Sequence, residues 1–278
     1  MGRCYAGCGY RGVLSVSLGT ATASCGCLGD SNRDNCDVYG LGQKRKANCR
    51  AGIERRVYLL IKGVIFDMDG LMLDTEKLLA RYWMQAAQEA GFPMELEHVL
   101  VIRSLAAVYA KPKLQAIFGE TFDYEAIRAR RRALTAAHLE QYGIEKKPSL
   151  DELLQYLKDT DRKIAVATAT DRERTDRYLQ QVGVADYFDV RICGDMVTKG
   201  KPDPEIYMTA CRMLDLPPTQ CMALEDSPNG IRSAHAAGCQ AVMVPDLSQP
   251  EEDLQPLLYG CVPSLDKVIT LLKQEVSA

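Results

Sequence analysis

The chain has 278 residues, of which 47% are hydrophobic, a composition that is ordinary for a folded protein with one large or two modest domains. Its formal net charge of −3 gives no reason to expect a nucleic acid or an anionic membrane as a partner. No apolar run is long enough to span a bilayer, and the first residues do not form a secretory signal, so the sequence predicts a cytoplasmic protein.

Residues 1–57 differ in composition from the rest of the chain. They are rich in Gly, Ser, Arg and Cys, and their apolar residues follow neither the helical nor the strand period. Six cysteines lie here without a Cys-x-x-Cys pair or a histidine, so no zinc site is expected. We predict a disordered extension that takes no part in folding or function, with a targeting leader as the alternative.

From residue 58 onward, short apolar runs alternate with amphipathic segments. The short runs predict strands at Leu59–Phe66, Lys163–Thr168, Val190–Cys193, Cys221–Leu224 and Ala241–Val244. The amphipathic segments that follow predict helices at Asp171–Val182, Pro204–Leu214 and Pro228–Ala237. Such alternation indicates an α/β fold with a parallel sheet and helices on both faces.

A block of helices interrupts this alternation after the first strand. Asp74 and Thr75 are expected to cap its first helix, and Asp123 to cap a helix at Tyr124–Tyr142. Ser149 is expected to open the next helix through a capping box. We therefore predict a core formed by residues 58–79 and 148–278, and an inserted helical cap domain at residues 80–147.

Polar residues follow the ends of several predicted strands. In an open parallel sheet, ligands bind beyond the carboxyl ends of the strands, so these side chains are expected to converge at one edge. They comprise two acids after the first strand, a hydroxyl after the second, a lysine before the helix at residue 204, and two acids after the fourth strand: Asp67, Asp69, Thr168, Lys201, Glu225 and Asp226.

Phosphoryl transfer would use every member of this set. Asp67 would be the nucleophile, and Asp69, on the same side of an extended segment, would protonate the leaving oxygen and then activate water. Mg²⁺, which prefers oxygen ligands, would be held by Asp67, the Asp69 backbone carbonyl and Asp226, with Glu225 acting through water.

Two further residues would bind the phosphoryl group itself. Thr168 would donate its hydroxyl to a phosphoryl oxygen, and Lys201 would offset the negative charge. Each of these residues alone also fits a turn, a cap or a surface position. Their joint occurrence at the expected strand ends favours the catalytic interpretation.

The motifs resemble those of the haloacid dehalogenase superfamily, in its β-phosphoglucomutase-like branch with a helical cap. They occur in order from about residue 60 onward, as Phe66-Asp67-Met68-Asp69-Gly70 with Asp74-Thr75-Glu76, then Thr168, Lys201-Pro202 and Leu224-Glu225-Asp226-Ser227. The resemblance implies a Rossmann-like core, a mobile cap, Mg²⁺ and an aspartyl-phosphate intermediate.

A single arginine and a run of arginines lie within the predicted cap. Arg103 falls where relatives place substrate contacts, so the resemblance makes it a candidate binding residue. The run Arg128-Ala129-Arg130-Arg131-Arg132 fans out around a helix, and we interpret it as a solvated face.

The sequence favours a phosphatase acting as a monomer on a small, sugar phosphate-like metabolite. A phosphosugar mutase is the alternative, but this chain has Leu79 where those mutases carry a histidine early in the first cap helix. A haloacid dehalogenase would leave Asp69 idle and Asp226 without a cation, because halide departs without a proton.

Overall fold

The structure is a computed structural model, and it describes residues 60–276; the predicted extension at residues 1–57 lies outside them. Within this range, six strands form one sheet in the order β3-β2-β1-β4-β5-β6, and every neighbouring pair is parallel. The strands are β1 Gly63–Phe66, β2 Lys163–Ala167, β3 Val190–Ile192, β4 Cys221–Glu225, β5 Gln240–Met243 and β6 Gly260–Cys261.

Nine α-helices accompany these strands in the described range. They are α1 Glu76–Glu89, α2 Leu96–Ile102, α3 Ala107–Phe118, α4 Tyr124–Tyr142, α5 Leu150–Asp159, α6 Arg172–Gln181, α7 Glu205–Met213, α8 Pro228–Ala236 and α9 Leu265–Val276. No helix among residues 60–276 combines the length and apolar character that crossing a bilayer requires.

Hydrophobic cores cover both faces of the sheet. Because successive strand residues point to opposite faces, Val64 packs with α5, α6 and α9, whereas Ile65 packs with α7 and α8. Both side chains are fully buried. The predicted α/β fold with a doubly covered parallel sheet is confirmed.

Helices α1 to α4 share a separate hydrophobic cluster, which includes Trp83, Val99, Leu114 and Ile127. The two segments that join these helices to the sheet pair with each other. The backbone N–H of Asp74 donates to the carbonyl of Glu145 at 2.9 Å, close to a second bond from Lys147 to Met72 at 2.8 Å. The exact domain limits stay a prediction.

Three predicted helix caps turned out differently from one another. Asp123 accepts a hydrogen bond from the backbone of Ala126 at 3.1 Å, as expected. The capping box at Ser149 was wrong, because this residue has a left-handed backbone (φ 62°) and its side chain makes no cap hydrogen bond. The cap at Asp74 and Thr75 was also wrong, because neither side chain caps α1: the Thr75 hydroxyl donates to Asp69, and the Asp74 carboxylate accepts from Lys147.

Candidate active site

Asp67 lies at the tip of β1, between the ends of β2 and β4. Its backbone N–H donates to the carbonyl of Leu224 at 3.0 Å, which continues the β1–β4 ladder into the site. The residue is only 3% exposed. Oδ1 accepts a hydrogen bond from Lys201, whereas Oδ2 has no partner among the described residues. The nucleophile candidate therefore presents one buried oxygen that the protein itself does not satisfy.

Lys201 is fully buried and joins β1, β2 and β4. Its Nζ contacts Asp67, donates to the carbonyl of Ala167 at 2.9 Å and lies 2.6 Å from Oε1 of Glu225. Burial alone would lower the pKa of Lys201, but the two carboxylates more than offset it and raise the pKa above its usual range. The ammonium is therefore a fixed positive charge beside Asp67.

Glu225 is held by several donors besides this lysine. The Tyr207 hydroxyl donates to its Oε1 at 2.5 Å, and the Ser227 hydroxyl donates to its Oε2 at 3.2 Å. A Cβ at Gly230 would lie 1.9 Å from the Glu225 carboxyl carbon, so only glycine fits there. Both oxygens of Glu225 are thus engaged by protein donors, and its predicted action through water stays a prediction.

Three buried carboxylates form a cluster that can hold a metal ion. One oxygen from each of Asp67, Glu225 and Asp226 lies within 4.8 Å of the other two. Neither carboxylate oxygen of Asp226 has a hydrogen-bond partner in the described range. Burial raises the pKa values of Asp67 and Asp226 well above their usual range, although Lys201 and Arg103 oppose this. Orphaned carboxylate oxygens fit a hard divalent cation.

Gly70 allows Asp226 to approach the first loop. Its φ of +89° belongs to the left-handed region, and a Cβ there would lie 2.2 Å from Oδ2 of Asp226. The convergence of Asp226 with Asp67 and the Asp69 segment thus depends on a glycine between them in the chain. The sequence contained this residue within the first motif, but its contact with Asp226 was not predicted.

Asp69 is held by two hydroxyls. Thr75 donates to its Oδ1 at 2.7 Å, and Thr170 donates to its Oδ2 at 2.8 Å. Asp69, Asp67 and Thr168 line one cavity, which the sequence predicted. Thr168 is buried, and its hydroxyl oxygen accepts from the backbone of Thr170 at 3.1 Å. Its hydroxyl proton can therefore be donated to a ligand in the cavity.

Sequence reasoning missed Thr75 and Thr170 as functional residues. Thr170 lies two positions after Thr168, directly beyond the predicted strand, and this position was an available signal. Thr75 was assigned to a helix cap, and no local pattern distinguishes a cap hydroxyl from one that bonds an acid in the preceding loop. Both hydroxyls fix the orientation of the predicted proton donor.

Arg103 lies at the end of α2 and is buried against the core. Its Nη2 donates to the backbone carbonyl of Asp226 at 2.5 Å and to the Ser248 hydroxyl at 2.9 Å. It also lines the cavity that contains Asp67. The predicted substrate-binding residue therefore already contacts the acidic cluster, and its role in binding stays a prediction.

The arginine run in α4 is not a solvated face throughout. Arg130 is exposed and pairs with Glu89, as expected. Arg131 contradicts the prediction, because it is only 8% exposed and lines the same cavity as Asp67. Helical spacing alone could not show that this side of α4 faces the sheet edge across the cavity.

Glu76 is a buried acid that the sequence analysis placed in the first motif without assigning it a role. It lies in the first turn of α1, is 6% exposed and lines the cavity with Asp67 and Asp69. Burial is the main cause that raises the pKa of Glu76 to about 8; Arg103 opposes the rise, and the neighbouring acids Asp69 and Asp67 add to it. The site therefore contains a carboxyl group that is readily protonated near neutral pH.

Comparisons with known proteins agree with this arrangement. The family model for haloacid dehalogenase-like hydrolases matches residues 64–244. The protein YhcW of Bacillus subtilis is 33% identical over 67% of this chain and 84% of its own length. The phosphorylated carbohydrates phosphatase of Thermotoga maritima is 29% identical over 66% and 84%, respectively. The crystal structure of CbbY from Rhodobacter sphaeroides in complex with phosphate is 26% identical, covers 75% of this chain and 96% of that one, and superposes with a TM-score of 0.62.

Proposed function

This chain belongs to the haloacid dehalogenase-like hydrolase family, and we propose that it is a Mg²⁺-dependent phosphatase that hydrolyses a small phosphorylated metabolite through an aspartyl-phosphate. The observation that carries the proposal is the Asp67 carboxyl, with one oxygen bound by Lys201 and the other unsatisfied beside Asp226. A sugar phosphate-like substrate is supported by the name of the Thermotoga maritima relative, a phosphatase of phosphorylated carbohydrates.

In the proposed first step, a carboxylate oxygen of Asp67 forms a bond to phosphorus while the bond to the leaving oxygen breaks. Protonated Asp69 gives its proton to that leaving oxygen, and Thr75 and Thr170 hold its carboxyl in place. Lys201 and the Thr168 hydroxyl stabilise the negative charge on the phosphoryl oxygens.

In the second step, Asp69 takes a proton from water as the water oxygen attacks the phosphorus of the aspartyl-phosphate. The acyl phosphate bond breaks, which releases inorganic phosphate and regenerates the Asp67 carboxylate. Mg²⁺ would be held by Asp67, the Asp69 backbone carbonyl and Asp226, and when bound it supplies positive charge that offsets the carboxylates and the phosphoryl group.

Helices α1 to α4 would act as a cap that encloses the substrate. The backbone N–H of Ala106, at the start of α3, donates to the carbonyl of Lys201 at 3.3 Å, so cap and core meet beside the proposed charge-stabilising lysine. We assign the cap to residues 80–147 and the core to residues 58–79 and 148–278. The cytoplasmic location and the monomeric state stay predictions.

The test is a screen of phosphorylated metabolites with the full-length protein, measuring released phosphate. Fructose 1-phosphate, glucose 6-phosphate and p-nitrophenyl phosphate are suitable first substrates. We expect turnover with MgCl₂, loss of turnover in EDTA and recovery when Mg²⁺ is added back. A trigonal fluoride mimic of the phosphoryl group should inhibit. Turnover that persists in EDTA would contradict the metal assignment, and absence of turnover on all substrates would contradict the proposal.

A matched pair of variants separates the metal site from general surface charge. Asp226→Asn should lose the response to Mg²⁺, whereas Asp253→Asn, in an exposed pair with Arg232, should retain it.

A mutase would instead convert β-glucose 1-phosphate to glucose 6-phosphate in the presence of a bisphosphate activator. Conversion faster than phosphate release would favour the mutase and overturn the phosphatase proposal.

A further inference from the structure

Arg131 is a buried cation without an anionic partner among residues 60–276. It projects from α4, and its Nε has no hydrogen-bond partner. No carboxylate in this range lies within salt-bridge distance of its guanidinium. A buried charge without a partner costs several kcal/mol of free energy in general, so its presence calls for a physical reason.

Contact with Trp83 does not supply that reason. The guanidinium carbon lies 5.2 Å from the Trp83 ring centroid, which is a cation–π contact. Such a contact gives the N–H groups of the guanidinium no hydrogen-bond acceptor. An apolar side chain would pack on the same ring without the cost of burying a charge. The contact orients the guanidinium but leaves its hydrogen-bonding capacity available.

Other arginines surround this position. Burial and, to a lesser extent, the positive charges of Arg174, Arg132 and Arg128 together lower the pKa of Arg131 to about 10. Neither nearby acid forms an ion pair with Arg131, since Asp171 pairs with Arg174 and Asp69, which accepts from two threonines, lies beyond salt-bridge distance. This part of the cavity therefore has a positive charge that the described protein groups do not neutralise.

The position of this charge relative to the proposed nucleophile indicates what would neutralise it. Arg131, Arg128 and Arg174 line the same cavity as Asp67 and Thr168. The transferred phosphoryl group would be bound at Asp67, Thr168 and Lys201, so the arginines face the part of the substrate that is released. A guanidinium presents paired donors that match the oxygens of a phosphate or a carboxylate.

We propose that Arg131, assisted by Arg128 and Arg174, binds a second anionic group on the substrate, so that the preferred substrates are metabolites carrying a phosphate or carboxylate in addition to the phosphoryl group that is transferred. This inference rests on the proposed phosphatase function. It narrows the substrate class from phosphorylated metabolites in general to those with two anionic groups.

The experiment compares substrates that differ in the second anion. Fructose 1,6-bisphosphate is compared with fructose 1-phosphate, and 3-phosphoglycerate with glycerol 3-phosphate, so that the two pairs distinguish a second phosphate from a carboxylate. In at least one pair, we expect kcat/KM to be about tenfold or more higher for the substrate with the second anion, because charged hydrogen bonds contribute at this level.

Variants of adjacent arginines then assign the preference to a residue. Arg131→Met should reduce the ratio of kcat/KM within that pair by about tenfold or more, mainly through KM for the doubly charged substrate. Arg131→Lys keeps the charge without the paired donors and should give an intermediate ratio. Arg130→Met, the same change at the exposed neighbour, should leave the ratio unchanged. Thermal unfolding establishes that each variant is folded, and Arg131→Lys provides the test if Arg131→Met does not fold.

Two results would overturn the inference in distinguishable ways. If the wild-type enzyme hydrolyses p-nitrophenyl phosphate but shows no preference in either pair, the second-anion site is wrong and the phosphatase proposal stands. An unchanged ratio in folded Arg131→Met and Arg131→Lys would also contradict it. If no substrate releases phosphate, including p-nitrophenyl phosphate, the proposed function itself fails.

Discussion

The guanidinium of Arg103 binds the backbone of Asp226 across the boundary between the cap helices and the sheet. Nη2 donates to the Asp226 carbonyl at 2.5 Å, and Nη1 lies 3.7 Å from the carboxylate Oδ2 of the same residue. Both side chains are almost completely buried. One residue of the cap thus supplies positive charge to the acidic cluster that we propose binds Mg²⁺.

Arg103→Met should make the protein more dependent on a divalent cation for its stability. Loss of one partner from a buried charged contact typically costs about 3–5 kcal/mol, because the remaining charge is left uncompensated. We therefore expect a lower melting temperature in EDTA, and a larger rise on adding MgCl₂ than for the wild-type protein. Thermal unfolding followed by circular dichroism measures both quantities. The exposed Arg130→Met variant is the control, and an equal Mg²⁺ response in Arg103→Met and wild type would contradict the prediction.

Asp67→Asn should reduce turnover by about a thousandfold or more, because an amide is a poor nucleophile and cannot form the aspartyl-phosphate. The protein should still fold, since the amide oxygen can accept the hydrogen bond from Lys201. Phosphate release gives the rate, and mass spectrometry of acid-quenched enzyme detects the phosphorylated residue in wild type.

The outcome is unambiguous when the variant is folded, which a melting curve establishes. A folded Asp67→Asn protein with nearly wild-type turnover would remove Asp67 from the role of nucleophile. A phosphoryl group found on another residue of the wild-type enzyme would have the same consequence.

Convergence of the site residues was predictable because it follows from sheet topology. The ends of neighbouring parallel strands meet at one edge, so the acids after β1 and β4 had to approach each other once the strands were identified. Motif spacing then placed Asp67 and Asp226 correctly without knowledge of the helices. By contrast, β6 has only two residues, and a run so short carries no detectable period.

The cap contacts were not predictable in the same way. The two connecting segments orient the cap and thereby determine which side of α4 faces the sheet. Helical periodicity contains no information about this orientation. Arg131 therefore could not be distinguished from its exposed neighbour Arg130. Side-chain partners distant in sequence were also beyond local patterns, as the bond from Thr170 to Asp69 shows.

Lys147 links the two connections between cap and core. Its Nζ donates to Asp74 at 2.8 Å on the opposite connection and to Asp246 at 2.9 Å in the core. Lys147→Met should lower the free energy of unfolding by about 1 kcal/mol, since the pairs are partly exposed. It should also change kcat and KM together, because the substitution loosens the segments on which cap movement would depend.

The same substitution has a predictable dependence on pH. The hydrogen bond from Lys147 lowers the pKa of Asp74, so the pair stabilises the protein above the usual carboxyl pKa and stops doing so as pH falls through the lowered value. Urea unfolding should therefore show a difference between wild type and Lys147→Met at pH 7 that shrinks below about pH 4. A difference that is constant with pH would contradict an ion-pair origin.

Removal of residues 1–57 should leave folding and turnover intact. The family match begins at residue 64, and the site residues described above all lie after residue 60. We expect the melting temperature and kcat/KM of the truncated protein to equal those of the full-length protein within experimental error. An insoluble or inactive truncation would show that the segment contributes to the catalytic unit.

Glu76→Gln should stabilise the protein, and the gain should grow with pH. Burial raises the pKa of Glu76 to about 8, so between about pH 4.5 and 8 the folded state binds a proton that the unfolded state has released. The stability of the wild-type protein therefore falls as pH rises through this range and levels off above it. Glutamine resembles the protonated form and removes this loss, which is on the order of a few kcal/mol at pH 8.

Urea unfolding of both proteins in EDTA at pH 5, 6.5 and 8 measures the effect. The control is Glu89→Gln, because the hydrogen bond from Arg130 lowers the pKa of that exposed acid and its replacement should produce no gain. If Glu76→Gln changes stability equally at all three values of pH, the carboxyl group is ionised throughout. The buried acid would then be paired with Arg103 strongly enough to overcome its burial among Asp67 and Asp69.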